Sequence, residues 1–89
     1  MRAVVTVTGK DKKGIIAKVS AFLSEKGANI EDISQTILGE YFAMIMLVEL
    51  DALTVDFQGF SEAMRKAGKD AGVEISVMHE DIFNSMHRI

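Results

Sequence analysis

The residues best placed to do chemistry are Gly9-Lys10-Asp11-Lys12-Lys13-Gly14, a polar run bracketed by glycines and followed at once by a helical pattern. A loop feeding a helix N-terminus presents unpaired backbone N–H groups at the positive end of the helix dipole, where an anion can be held. Gly14, lacking a side chain, lets a ligand or a neighbouring backbone approach closely. The same residues also read as an ordinary helix entry, with Asp11 as N-cap and the lysines in water. Asn29 precedes a strand pattern and offers both donor and acceptor groups, although a turn residue bonding its own backbone looks the same. Gln35 lies between Ile33 and Ile37 on an apolar face. It is either an edge-strand side chain reaching water or a polar group at a subunit interface. His79, Glu80 and Asp81 are adjacent in the chain, with His87 farther on. Neighbouring residues point in different directions and no HExxH spacing occurs, so no metal site is expected. The six methionines fit a role as core fillers better than copper ligation.

The elements that must carry these residues follow from periodicity. AVVTVT over Ala3 to Thr8 is a β-branched strand. Ile15, Ile16, Val19, Phe22 and Leu23 recur at helical spacing between Lys12 and Lys26, and Gly27 suits the left-handed position beyond that helix. A second strand spans about Glu31 to Leu38 and a third spans Tyr41 to Leu50. Gly39-Glu40 between them forms a type II′ hairpin turn. That turn sets Leu38 opposite Tyr41, Ile37 opposite Phe42, Gln35 opposite Met44 and Ile33 opposite Met46. Ile33, Ile37, Phe42, Met44, Met46 and Val48 should then face the helices. Thr54 is the expected cap of a second helix running to about Ala71, and Val73 to Met78 alternates as a fourth strand. Asp81 to Ile89 spaces its apolar residues like a short amphipathic helix.

The order βαββαβ, joined by right-handed crossovers, gives an α+β ferredoxin-like sandwich. It is a four-stranded antiparallel sheet with two helices on one face, plus a short C-terminal helix. The other face carries Val4, Thr6, Thr8, Ser34, Thr36, Ala43, Ile45, Leu47, Ser76 and Met78. It is half apolar, and is either a tolerated wet face or a contact surface. In such a sandwich the first loop and Asn29 lie at opposite ends of the first helix. They could meet across an interface between two copies.

Composition narrows the function classes. Eighty-nine residues make a single domain, and the 48% hydrophobic content supports a core. With no cysteine there is no disulfide, thiolate metal site or cysteine nucleophile. Thirteen acidic residues against ten basic ones give a net charge of −3, which argues against direct nucleic-acid binding. No apolar run approaches the roughly 20 residues of a membrane span, and charges interrupt MRAVVTVTGK too early for a signal peptide. A cytoplasmic protein with no membrane partner is expected. A core this small gains from self-association.

Gly9-x-Asp11-Lys12-x-Gly14-Ile15, followed by Asn29-Ile30 and Ile33 on the βαββαβ frame, resembles the ACT regulatory domain. The strings AVVTVTGKDKKGI, ANIEDISQTI and YFAMIMLVEL are similar to the small stand-alone prokaryotic ACT proteins, and to halves of the glycine cleavage system transcriptional repressor. The family's loop usually reads Asp-Arg-Pro-Gly before leucine. Here the arginine is Lys12 and the proline is replaced by Lys13. The resemblance covers residues 1–89 as one ACT-like domain. It implies a non-catalytic module that forms a homodimer and senses a small ligand such as an amino acid at the subunit interface. The positions it assigns to that ligand are Asp11, Lys12, Gly14, Ile15, Asn29 and Ile30. It implies no cofactor, and it leaves room for a regulated protein partner.

The competing reading is a ligand-free interaction module docking on an enzyme or transcription regulator. An acylphosphatase would need an arginine in the first loop, where this chain has lysines. No Ser–His–Asp set or acid–base pair is evident, so an enzyme is not expected. An RNA-recognition motif would need aromatics on the open face, whereas the hairpin register turns Phe42 toward the helices.

Overall fold

The computed structural model describes residues 1–10 and 13–86. The alternating β-branched run forms β1 (Arg2–Gly9), and the helical pattern after the loop forms α1 (Ile15–Glu25). The hairpin strands are β2 (Asn29–Leu38) and β3 (Tyr41–Glu49). They are followed by α2 (Phe57–Ala71), β4 (Glu74–His79) and α3 (Glu80–Met86). The sheet order is β2-β3-β1-β4, antiparallel throughout, as the sandwich reading requires.

The hairpin register is the expected one, with Leu38 on Tyr41, Gln35 on Met44 and Ile33 on Met46. Gly39 has φ 63°, and among the described residues none other than glycine has positive φ. This is the type II′ signature, because only the first central residue turns left-handed. Farther along, a bulge between Ile30 and Asp32 shifts the pairing by one residue.

The core lies between sheet and helices. Val5 and Val7 of β1 and Met44, Met46 and Val48 of β3 are fully buried. They pack against Ile15, Val19 and Leu23 of α1 and Phe60 and Met64 of α2. β2 departs from expectation. Ile33 and Ile37 share the helix-side face with Met46 and Phe42, yet they are 42% and 51% exposed. The two helices cover β3, β1 and β4 and leave the hairpin end of the β2 edge bare.

Two helix starts also differ. α1 opens at Ile15 with Gly14 as its N-cap, because the φ of 74° at Gly14 is left-handed and lies outside the helix. The proposed cap Asp11 lies outside the described residues. At α2, Asp56 is the N-cap and its Oδ1 accepts the Gly59 N–H at 2.8 Å. Thr54 is not the cap. Its N–H and Oγ1 both donate to the Lys26 carbonyl (3.1 and 3.4 Å), tying the approach to α2 onto the end of α1.

The terminal helix docks on its own sheet. α3 turns back over the open face and forms a shallow cleft with Val4, Ile45 and Leu47, lined by Glu80, Phe83 and Asn84 from the helix side. Val4 is thereby only 6% exposed, while Ile45 stays 45% exposed. Arg2 holds the arrangement from the β1 end, pairing with Glu80 of α3 at 2.6 Å and with Glu31 of β2 at 3.4 Å. These partners raise its already high pKa, Glu80 most strongly. Nearby, the Met1 ammonium pairs with Asp51 (2.6 Å) and Glu49 (3.3 Å). Asp51, then Glu49, raises the pKa of the amine. The ammonium in turn is the main cause lowering that of Asp51.

Candidate functional site

The first loop leaves β1 at Gly9 and enters α1 at Gly14. The Gly14 carbonyl accepts the Lys18 N–H at 3.1 Å, closing the first helical turn. Gly14 supplies no side-chain cap. Among the described residues beyond Gly14 and its chain neighbours, no heavy atom lies within 4 Å of the point where a Cβ would stand. These are features an anion site uses: first-turn N–H groups, a glycine with no side chain of its own, and the positive end of the dipole. Ile15, the next residue, is 3% exposed and belongs to the core. It fixes the helix entrance to the sheet. Asp11 and Lys12 lie outside the described residues.

Asn29 and Ile30 stand elsewhere. Asn29 pairs with Glu49, which also pairs with Arg2, at the opposite end of the sheet from Gly9. Eleven residues of α1 separate the two places, about 16 Å at 1.5 Å per residue. The structure therefore brings Gly14 together with Ile15, and Asn29 together with Ile30, but keeps the pairs apart within one chain. Asn29 is exposed and Ile30 is half-buried against the core.

Beside the first loop lies a cleft of about 880 Å³ at the end of the sheet. Leu38, Tyr41, Phe42 and Val73 supply apolar walls, and Lys10 and Lys69 supply positive charge against the single acid Glu74. The Lys10 ammonium stands 5.6 Å from the centre of the Tyr41 ring, a cation–π distance. Tyr41 and Lys69 were not among the candidates read from the sequence. The signal was available for Tyr41, because the hairpin register puts it at the strand end that meets Gly9.

The other polar candidates are used structurally. His79 precedes α3, and its Nδ1 accepts the Asp81 N–H at 3.1 Å, as a helix cap does. Its ring packs near Phe57, at 6.1 Å between centroids. Glu80 is committed to Arg2. Among the described residues no three His, Asp or Glu side chains come together as metal ligands would. Gln35 is exposed on the bare edge strand. No described helix is long and apolar enough to cross a membrane.

A family model described as the ACT domain matches residues 2–78. The chain belongs to the ACT-domain family. This ACT domain is 51% identical, over 88 residues, to a UPF0237 protein of Methanopyrus kandleri, with 99% of this chain and 98% of that protein covered. Its fold matches an ACT domain protein from Streptococcus pneumoniae with a TM-score of 0.84 and 42% identity, covering 98% of both chains. A structure described as a glycine cleavage system transcriptional repressor matches with a TM-score of 0.71 over 85% of this chain and 43% of that one. At 21% identity this last likeness is one of fold. It agrees with the resemblance to one half of such a repressor. The family is one of regulatory, ligand-sensing modules.

Proposed function

We propose that this ACT domain works as a homodimer and senses an amino acid held at the seam between its two copies. The reading rests on the separation of the two halves of the ligand motif. Gly14 and Asn29 flank an eleven-residue helix from opposite ends. A ligand the size of an amino acid cannot touch both within one chain, but it can touch one from each copy. The bare β2 edge, with Ile33 and Ile37 exposed, supplies a surface for the second copy to cover. The ligand carboxylate would lie against the first-turn N–H groups beside Gly14. Its ammonium would be held by Asp11 and by the Asn29 side-chain carbonyl of the second copy. Lys12, with Lys10, adds positive potential at the carboxylate end. Ile15 and Ile30 brace these two walls from the core side. Such a module would work in the cytoplasm, where free amino-acid pools are held, and would need no cofactor. Binding at a seam changes the relation of the two copies, which a regulated protein partner can read.

The test combines solution mass with ligand-dependent melting across the twenty amino acids. A dimer at tens of micromolar is expected, with one or a few amino acids raising the melting temperature as mass action requires. The gain should disappear in Gly14→Asp. A monomer with no shift for any amino acid would overturn the proposal. A dimer with no shift would favour the ligand-free interaction module.

A further inference from the structure

On the outer side of the helical layer, α1 and α2 diverge and leave a groove of about 590 Å³ between them. Its floor is apolar, with Val19, Met64 and Ile75 at the bottom. The half-buried Phe22 and Ala67 form the walls. The rim is basic. Lys18 and Lys26 stand on the α1 side and Lys66 on the α2 side, against the single aspartate Asp70. In a chain of net charge −3, three lysines against one acid on a single groove is a local reversal of sign. Lys18 and Lys66 are exposed and make no ion pair among the described residues, and Lys26 lies over the Phe22 ring at 5.5 Å. Surface lysines elsewhere are usually interspersed with acids, so that their fields cancel within a Debye length.

We propose that this groove docks an acidic amphipathic helix of a partner protein. The walls are themselves helices, whose backbone groups are satisfied internally, so an extended peptide would gain no main-chain partners here. An incoming helix brings its own satisfied backbone, lays an apolar stripe on Met64 and Ile75, and sets carboxylates against the lysines. A second copy of this chain is a poor occupant of the groove, because it would bring the same lysines to face these. Lys18 to Lys26 spans about 12 Å, so the occupant needs two to three turns. This surface is distinct from the seam proposed above and does not depend on any amino-acid ligand.

The experiment uses the full chain and a fluorescein-labelled peptide of about 14 residues, with leucine on one helical face and glutamate on the other. A lysine-for-glutamate peptide is the charge control, and decanoate competes as a small amphipathic carboxylate. The glutamate peptide should bind with an affinity that falls as salt rises, and the lysine peptide should not bind. Lys18→Glu with Lys66→Glu should weaken binding about tenfold or more, while Ser85→Glu, exposed on α3 across the sheet, should leave it nearly unchanged. Circular dichroism melting of each variant confirms that the exposed substitutions leave the fold intact. Amide NMR shifts on peptide addition should map to α1 and α2. Shifts elsewhere, equal binding of both peptides, unchanged affinity in the double variant, or saturable displacement by decanoate would each overturn the proposal.

Discussion

Gly14 carries two separate demands, and two substitutions separate them. Its φ of 74° is strained for any residue with a Cβ, although no described residue beyond its chain neighbours crowds that position. Gly14→Ala should therefore cost about 1 kcal/mol through backbone strain alone, with secondary structure unchanged, as urea unfolding would show. Gly14→Asp carries similar strain and adds a negative charge at the helix entrance. If an anion binds there, calorimetry should show Gly14→Asp losing about tenfold more affinity than Gly14→Ala. Equal losses would mean that the loop's shape, not its field, matters. Gly68 poses the opposite case. A Cβ there would stand 2.6 Å from Ile75 Cγ1 and 3.0 Å from the Val73 carbonyl, so α2 lies directly on β4. Helix propensity favours alanine by about 1 kcal/mol, but overpacking a buried contact costs about 1–3 kcal/mol. Gly68→Ala should come out net destabilising by urea titration, and a stabilised variant would show that the strand yields. The sequence marks both positions as glycines in helical surroundings. It does not tell them apart, because the contact that decides Gly68 comes from Val73 and Ile75, which reach it only through the fold.

At the scale of elements, periodicity carried far. The order of six elements, the type II′ turn and the register of the hairpin all follow from apolar spacing and Gly39, because a half-buried strand cannot slip by one residue without exposing its core face. The capping residues followed less well. Thr54 and Asp56 are both good N-caps by type, and the choice between them depends on the Lys26 carbonyl, a tertiary partner that takes Thr54 away. Asp56→Ala should lower stability by about 1 kcal/mol, whereas Thr54→Val should cost less, since its backbone N–H keeps the same acceptor. The place of α3 was not legible either, since an amphipathic stripe says that a helix docks but not where. Arg2 joins it to β1 and β2 through exposed ion pairs. Arg2→Gln should leave the global midpoint nearly unchanged but speed amide exchange within Glu80–Met86, because the helix loses its tie while the core does not. The Met1–Asp51 pair gives a pH signature of known sign. The raised amine stabilises below its ordinary value of 8.0, and that contribution fades as pH rises through the raised pKa. The lowered carboxyl stabilises above 3.8, and that contribution fades as pH falls through the lowered pKa. Asp51→Asn should flatten both edges of the stability profile, with the plateau between them reduced only slightly.

The whole molecule is a slab, 34 by 34 by 19 Å, with α1 and α2 on one face of the sheet and α3 on the other. Its accessible surface is 5828 Å². A folded monomer of this mass is expected to expose about 5,200 Å², so the surface is large by roughly 600–700 Å². That excess is close to the roughly 800 Å² each partner contributes to a stable interface. Part of the exposed apolar surface lies along the β2 edge. Ile33, Ile37 and Leu38 are 42%, 51% and 77% exposed on a strand with one unpaired side, and Tyr41, opposite Leu38 at the start of β3, is 50% exposed. Alternation alone placed Ile33 and Ile37 in the core, because periodicity assigns a face and not the width of the helices that must cover it. Under the proposed dimer the second copy completes that cover. Ile33→Lys with Ile37→Lys should then give a monomer at concentrations where the parent chain is a dimer, as sedimentation would show. The isolated fold should survive, because both side chains are already half in water and their lysine stems can lie along the sheet. Charged edge residues are also a usual means of keeping strands apart. A double variant that stays dimeric would move the seam away from β2, and the amino-acid site proposed between the copies would have to move with it.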